Sequence, residues 1–312
     1  MAFKVQKAVR EKIYTKIALM SPSGGGKTYS ALRLATGMKT ELEKINKKPV
    51  KILFANTEES RGRYYANEFD YDIIDLTPPF IPEQFIEAID FAIDSGYDIL
   101  IMDSTSHEWE GKGGCLEIHQ RAGGKYQDWK FVTPRHDAFI NKISSSPLHI
   151  IATMRGKDQY EMERDNSGKT SVKKLGVGAK QRDGFEFEFT CTFTIDNKSH
   201  TAEAQKDNTH IFENDSAVML TEKHGEKIIK WANESDIEPE KPKFEAQTPV
   251  YNSEDDLKEV KRDIVALCTT LGGTKNKTLM TTLKAVVPSG NPNSIKDLDK
   301  AKQLLESLRQ LQ

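Results

Sequence analysis

The chain has 312 residues, with 45 Lys and Arg against 47 Asp and Glu, and its net charge of −2 gives no overall sign of a nucleic-acid partner. Hydrophobic residues make up 37% of the chain, and no apolar run approaches the roughly 18–20 residues of a membrane-spanning helix, so a globular protein without a membrane partner is expected. Three widely spaced cysteines without a CxxC pair exclude a disulfide framework and a zinc knuckle, and a start without a secretory signal predicts a cytoplasmic location.

From about residue 12 to residue 231 the chain alternates short apolar runs with helical patterns. Five short runs are strand candidates, at residues 15–20, 51–56, 71–76, 98–103 and 149–154. Helices are predicted between them at residues 27–46 and 81–95, the second with Pro82 in its first turn. Buried strands separated by helices predict an α/β fold, a mostly parallel sheet flanked by helices.

The pattern changes beyond the fifth predicted strand. Residues 159–174 contain the turn signal Asn-Ser-Gly between two polar runs, which predicts a hairpin or a mobile loop. Residues 185–195 (FEFEFTCTFTI) alternate strictly between apolar and polar side chains, as a half-buried antiparallel strand does, and residues 201–206 are expected to return beside it. The sheet is therefore expected to be extended by antiparallel strands.

Residues 234–256 are predicted to be an acidic linker, because they hold eight Asp and Glu against two Lys, together with three prolines. The linker separates a first domain, residues 1–233, from a small helical domain, residues 257–312. The small domain carries the apolar stripes of three helices, predicted at residues 257–271, 278–287 and 295–311, the last capped by Ser294.

The first predicted strand runs directly into the segment SPSGGGKT and then into a helix. This order and spacing match the P-loop pattern G-x-x-x-x-G-K-[ST], with Ser21 in place of the first glycine. Glycines let backbone N–H groups turn around a phosphate, whereas the alternative is a glycine-rich turn that only caps a helix. Lys27 is expected to reach the β- and γ-phosphates and Thr28 to bind Mg²⁺. The predicted ATP-binding residues in this segment are Ser21, Ser23, Gly24, Gly25, Gly26, Lys27, Thr28 and Tyr29.

A P-loop needs an acidic partner for the metal. Asp103 ends the fourth predicted strand, in the pattern of a Walker B carboxylate that holds Mg²⁺ and lines the ATP site. The alternative is an Asp that caps the next helix. Many ATPases place a catalytic Glu directly after this Asp, but Ser104 follows here, and Glu58 lies instead just after the second predicted strand.

The pairs Thr57-Glu58 and Asp103-Ser104 resemble those of the RecA family. The chain also resembles phage-encoded P-loop ATPases of the AAA type, some of which are single-strand-annealing recombinases with a minimal RecA-like core. The resemblance covers residues 12–231 and implies an ATPase that uses ATP and Mg²⁺, in the host cytoplasm if the protein is phage-encoded. It implies that Glu58 activates the attacking water, with Glu59 as the substitute.

The same resemblance places Thr153, at the end of the fifth predicted strand, where the RecA family keeps a polar γ-phosphate contact. That family usually has an amide at this place, so a plain strand-end Thr is the alternative reading of Thr153.

Basic side chains are concentrated in residues 112–182, which hold fourteen Lys and Arg against seven Asp and Glu. Two long loops are predicted there, at residues 104–135 and 155–182, both leaving the strand ends where open α/β sheets bind ligands. Basic and aromatic side chains together suit single-stranded nucleic acid, and the resemblance implies DNA binding by the same loops. The alternative is a solvated surface with Trp129 in the core. The candidate contacts are Lys125, Trp129, Lys130, Arg155, Lys157, Lys173 and Lys174.

Proteins that resemble this chain assemble as rings or filaments, with a basic side chain reaching ATP across the subunit boundary. Arg182 is one candidate, because Lys180 and Arg182 have the K-x-R spacing that brings two cations to a γ-phosphate. Lys206 is the other, one strand later, although Asn208 stands there in place of the Arg. Surface charge is the alternative for both residues.

We therefore expect an ATP-hydrolysing, RecA-like protein that anneals or exchanges single-stranded DNA in phage-type recombination or replication. The alternatives are a P-loop kinase or other transferase, a nucleotide switch that does not hydrolyse ATP, and a helicase loader or packaging motor. The helical domain is expected to bind DNA or a partner such as a single-strand-binding or replication protein, or to assist assembly. His107, His119 and His136 lack ligand spacing, so no metal other than Mg²⁺ is expected.

Overall fold

A computed structural model describes residues 7–164, 170–213, 217–235, 237–239, 253–273 and 276–309 of the chain, without the side chains of 158–177 and of several residues beyond 252. The chain divides into two compact units, Met1–Ala246 and Gln247–Gln312. Within the described part, no helix is both long and apolar enough to cross a membrane.

The first unit is built on one sheet whose strands are β1 (Lys16–Ser21), β2 (Ile52–Asn56), β3 (Asp72–Asp75), β4 (Ile99–Asp103), β5 (His149–Arg164), β6 (Thr170–Ala179), β7 (Cys191–Ile195) and β8 (Ala202–Asp207). The strand order is β3-β2-β4-β5-β1-β7-β8, with β6 paired to β5 outside this row. All neighbours from β3 to β7 are parallel, whereas β8 and β6 run antiparallel to β7 and β5. The predicted α/β fold with antiparallel extensions is confirmed.

Helices cover both faces of this sheet. They are α1 (Lys27–Asn46), α2 (Pro82–Asp94), α3 (Ser106–Glu110), α4 (Cys115–Ala122), α5 (Thr133–Ser145) and α6 (Glu222–Ala232). Because successive strand residues point to opposite faces, Ile17 and Leu19 pack under α1 and α6, while Ala18 and Met20 pack under α2 and α5. Parallel strands buried on both faces explain why the central runs of the sequence are almost wholly apolar.

The structure corrects the prediction of a long loop at residues 104–135. This segment forms α3, α4, a 3₁₀ turn at Tyr126–Phe131 and the start of α5. Its side chains build a small apolar cluster of their own around Cys115, Ile118 and Val132. The helices are only five and eight residues long, too short for their periodicity to stand out from the polar residues around them.

The structure also corrects the strand predicted at residues 185–195. Residues Phe185–Glu188 form a 3₁₀ turn, and the strand begins only at Cys191, paired in parallel with β1. The turn follows Gly184, whose φ is 91°, and it leaves Phe187 58% exposed while Phe185 and Phe189 are buried. At residues 185–189 the alternation of apolar and polar residues therefore belongs to a turn and not to a strand, and two of its three phenylalanines are buried.

The long loop predicted at residues 155–182 is likewise corrected, because β5 continues to Arg164 and most of the remainder forms β6. Of the two alternatives for residues 159–174, the hairpin is confirmed: β5 and β6 pair antiparallel, from Gly156 with Ala179 to Arg164 with Thr170. The return strand predicted at 201–206 is confirmed by β8.

The second unit has its own apolar core, formed by α7 (Ser253–Thr270), α8 (Lys277–Val286) and α9 (Leu298–Arg309). Helix α7 starts inside the segment predicted to be a linker. The last helix starts later than predicted, because Asp297 and not Ser294 caps it: the Asp297 carboxylate accepts a hydrogen bond of 3.0 Å from the backbone N–H of Lys300.

Candidate nucleotide site

The loop between β1 and α1 has the backbone that the P-loop pattern requires. Gly24 and Gly26 have φ of 82° and 87°, a conformation that residues with side chains rarely adopt. A Cβ on Gly25 would lie 1.7 Å from Ser21 Oγ, so this glycine is needed for close approach within the loop. The Lys27 ammonium donates hydrogen bonds across the loop to the backbone carbonyls of Ser21 (2.9 Å) and Pro22 (3.0 Å).

The hydroxyl of Thr28, at the start of α1, donates a hydrogen bond of 2.6 Å to the Asp103 carboxylate at the end of β4. Thr153 on β5 donates to the other oxygen of the same carboxylate at 2.5 Å. Burial raises the pKa of Asp103, and the two hydroxyls and Lys27 oppose that shift. Adjacent carboxylate and hydroxyl oxygens are ligands that Mg²⁺ prefers, so Thr28 and Asp103 fit the metal predicted for them.

Glu58 lies directly after β2, at the same edge of the sheet. Its backbone N–H donates to the Asn56 side chain at 3.1 Å, which orients the residue, and its carboxylate is 15% exposed. Burial lowers the pKa of Lys27 and raises the pKa of Asp103; the charge of Glu58 opposes the first shift and adds to the second, so Glu58 is close enough to act on the P-loop site. Glu59 is exposed, with a φ of 52°.

Strand order explains how these distant residues meet. Since β1, β2, β4 and β5 are parallel neighbours in the sheet, their carboxyl ends lie at one edge. A P-loop, a strand-end Asp and a strand-end Glu at this edge are the arrangement expected of an ATPase. A family model described as "AAA domain" matches residues 13–233, more than two thirds of the chain. The chain belongs to this AAA domain family. No curated protein matches it.

Membership in the AAA domain family implies ATPase activity at the general level, with the ATP and Mg²⁺ that such P-loop proteins use. Two of the flanking residues predicted for the ATP site, Ser23 and Tyr29, have exposed side chains. The Tyr29 hydroxyl donates to Glu68 at 3.2 Å while its ring packs against Tyr65 and Phe69.

Both candidates for a side chain that reaches a neighbouring subunit have partners within the AAA domain itself. Arg182 donates a hydrogen bond of 2.7 Å to the Asp137 carboxylate on α5. The Lys206 ammonium donates to the backbone carbonyl of Phe187 at 2.5 Å. Their roles across a subunit boundary stay predictions.

The residues predicted to contact nucleic acid differ in exposure and in what their side chains touch. Lys125, Lys130 and Lys157 are exposed, and the Lys130 ammonium lies 4.6 Å from the centre of the Phe131 ring. The half-buried ring of Trp129 stacks on His119, with 4.1 Å between ring centres, and on Trp109 at 5.6 Å. The side chains of Lys173 and Lys174 lie outside the described residues.

Arg155, which is also among the predicted nucleic-acid contacts, lies beside Glu58. Its guanidinium is turned into the nucleotide site and contacts Glu58 instead of facing outward with Lys157. The sequence places Arg155 two residues beyond Thr153 in a basic segment, and nothing local in it indicates which way the side chain points.

Sequence reasoning missed two other features of the first unit. The turn after β7 lies against the P-loop, with the His200 ring 3.3 Å from the place of a Cβ on Gly26. Glu108, Cys115 and His136 from α3, α4 and α5 form a fully buried cluster, in which Cys115 and His136 each approach Glu108 Oε1 within 3.0 Å. Their spacing along the chain follows no ligand motif, and only the packing of three short helices brings them together.

Proposed function

We propose that the protein hydrolyses ATP and acts on single-stranded DNA in phage-type recombination or replication, with a RecA-like core. The observation that carries the hydrolytic part is the meeting of Thr28, Asp103 and Glu58 at one edge of the sheet, beside Lys27. Each residue lies on or directly after a different element. Together they supply the contacts to phosphate, metal and attacking water that phosphoryl transfer requires.

In the proposed reaction, Lys27 and the backbone N–H groups of the P-loop bind the β- and γ-phosphates. Thr28 and Asp103 would hold Mg²⁺, which supplies positive charge at the phosphates when it is bound. The oxygen of a water molecule forms a bond to the γ-phosphorus, and the bond to the bridging oxygen breaks. Glu58 accepts the proton that the water loses, and ADP leaves with the bridging oxygen and its electron pair.

The DNA part of the proposal is supported by charge and by position. The segment that carries most of the excess positive charge includes the β5–β6 hairpin, whose first strand also carries Thr153 of the nucleotide site. Exposed cations in this segment suit the phosphates of a single strand. Such binding weakens as the salt concentration rises, because the release of counterions from the strand is then less favourable.

Phosphate release measured with and without a single-stranded oligonucleotide tests the proposal. At low salt we expect turnover to rise several-fold with the oligonucleotide, and we expect this rise to fall as salt is increased. The charge reversal Lys157→Glu should weaken oligonucleotide binding, whereas Lys223→Glu, at an exposed position of α6, serves as the matched control.

Other outcomes would favour other functions. If the oligonucleotide neither binds nor alters turnover at low salt, the DNA part of the proposal is wrong. Phosphate transfer only to a small acceptor would indicate a kinase, and tight ATP binding without turnover would indicate a nucleotide switch.

A further inference from the structure

The predicted general base is held by an arginine from the strand that leads into the basic hairpin. Arg155 Nη2 and Nε lie 2.7 Å and 3.0 Å from Glu58 Oε1. A second arginine, Arg61, contacts the other carboxylate oxygen at 3.4 Å, but its side chain is 63% exposed. The Arg155 side chain is 34% exposed, so it is the more buried of the two.

The backbone fixes Arg155 at this position. Its N–H donates to Ser106 Oγ at 2.9 Å, and its carbonyl accepts a hydrogen bond of 2.7 Å from the N–H of Lys180 on the returning side of the hairpin. In the parallel pairing of β1 with β5, Arg155 is opposite Ser21, the first residue of the P-loop. The guanidinium therefore extends from a hydrogen-bonded position within β5, beside the phosphate loop.

The charges around Arg155 explain why it rests on Glu58. Lys27 is affected electrostatically by Asp103, Glu58 and Arg155 together, so two carboxylates and two cations share one site. A bound triphosphate adds negative charge to the same place. A guanidinium binds phosphate oxygens in a two-pronged geometry at least as well as it binds a carboxylate, so a γ-phosphate competes with Glu58 for Arg155.

We propose that Arg155 senses the γ-phosphate: it pairs with Glu58 when that phosphate is absent and moves to the γ-phosphate oxygens when ATP is bound. The exchange frees the Glu58 carboxylate to accept the proton of the attacking water, and it places a cation where charge develops during hydrolysis. This inference rests on the proposed ATPase function and replaces the role of Arg155 as a DNA contact.

Three roles for Arg155 predict different results when it is removed. A γ-phosphate contact predicts that DNA-free turnover falls and that the preference for triphosphate over diphosphate is lost. A latch that only restrains Glu58 predicts that DNA-free turnover rises. A DNA contact predicts that oligonucleotide affinity falls while DNA-free turnover and nucleotide preference are kept.

The experiment uses the full chain and compares wild type with Arg155→Ala, Arg155→Lys and Arg61→Ala. Affinities for ATPγS and ADP are measured by titration calorimetry with Mg²⁺, and phosphate release is measured without DNA. For Arg155→Ala we expect a loss of about tenfold in the ratio of ATPγS to ADP affinity and a fall of about a hundredfold in turnover, the sizes typical of one charged contact to the reacting group. Relative to Arg155→Ala, Arg155→Lys should recover part of the affinity ratio and part of the turnover. Arg61→Ala should keep the wild-type affinity ratio.

Binding of ADP reports that a variant is folded, and Arg155→Lys supplies the test if Arg155→Ala does not fold. The inference is overturned if Arg155→Ala, or Arg155→Lys in its place, keeps the wild-type affinity ratio or turns over ATP as fast as wild type or faster. If the wild-type protein binds neither nucleotide, the proposed function itself is wrong and this inference falls with it.

Discussion

His149, the first residue of β5, is fully enclosed at the end of the sheet opposite the nucleotide site. Its Nδ1 accepts a hydrogen bond of 3.2 Å from the backbone N–H of Thr15, so the ring is held neutral. Burial, followed by the nearby charge of Lys16, lowers the pKa of His149 to about 3. A residue at the base of a central strand therefore makes the stability of the fold sensitive to acid.

The unfolded chain takes up a proton at His149 near pH 6.5, whereas the folded chain resists until about pH 3. The contribution of neutral His149 to the free energy of unfolding is therefore fully present above pH 6.5. It is lost as the pH falls toward 3, by about 1.4 kcal/mol for each pH unit. We expect His149→Gln to flatten the dependence of unfolding free energy on pH between 6.5 and 5, measured by urea denaturation. An unchanged slope would contradict the assignment.

Gly25 gives a second prediction for a single residue. A side chain there would collide with Ser21 Oγ inside the P-loop, so Gly25→Ala should displace the loop and reduce ATP affinity by at least about tenfold. The fold should survive, because the loop lies outside both cores of the sheet. Calorimetric titration with ATP, together with circular dichroism, checks both statements. Wild-type affinity in the variant would show that the loop tolerates a Cβ.

Helices α1 and α6 cross at two glycines. A Cβ on Gly37 would lie 1.8 Å from the backbone carbonyl oxygen of Glu222, and one on Gly225 would lie 2.1 Å from that of Leu34. Arg33 locks the same crossing by two hydrogen bonds of 2.9 Å and 2.8 Å to the Glu222 carboxylate. Close backbone approach, and not only apolar packing, therefore holds α6 on the sheet.

We expect Gly37→Ala to destabilise the first unit by about 1–3 kcal/mol, since the backbone of α6 has to move away. For a unit of this size each kcal/mol lowers the melting temperature by roughly 2–4 °C. Thr40→Ala, one turn along α1, is the control, because the Thr40 hydroxyl donates a hydrogen bond to the carbonyl of Thr36 within its own helix. Equal melting temperatures for the two variants would contradict the crossing described here.

The elements that the sequence predicts correctly are those whose signals are local. Helix α1 has the bounds expected from its apolar spacing, and β1, β4 and the P-loop follow from contiguous residues. The prediction of a strand at Phe185–Glu188 is wrong, because an alternating pattern does not distinguish a strand from a turn that buries Phe185 and packs Phe189 in the same apolar core as α5. The contact of Arg155 with Glu58 joins residues 97 positions apart, and no local pattern encodes it.

At the scale of the whole molecule, two units carry separate apolar cores. The first has cores on both faces of its sheet, and the second has a core among α7, α8 and α9. The residues predicted for the nucleotide site all belong to the first unit. The nearly neutral total charge likewise averages over a basic stretch, residues 112–182, and an acidic remainder.

A chain ending at residue 246 should therefore fold and bind ATP with the affinity of the full chain, because the described residues of its two cores all belong to the first unit. Its melting temperature should match one of two transitions of the full chain in differential scanning calorimetry. A truncated chain that does not fold, or a single transition that disappears on truncation, would contradict the independence of the units.

The central claim is that Glu58 activates water in an ATP site formed by the P-loop and Asp103. Single-turnover phosphate release from bound ATP by Glu58→Gln tests it most directly, with Glu59→Gln as the matched control. We predict that Glu58→Gln binds ATP with at least the wild-type affinity and releases phosphate at least about a hundredfold more slowly, while Glu59→Gln behaves as wild type. Wild-type phosphate release by Glu58→Gln, or its loss in Glu59→Gln alone, would contradict the claim.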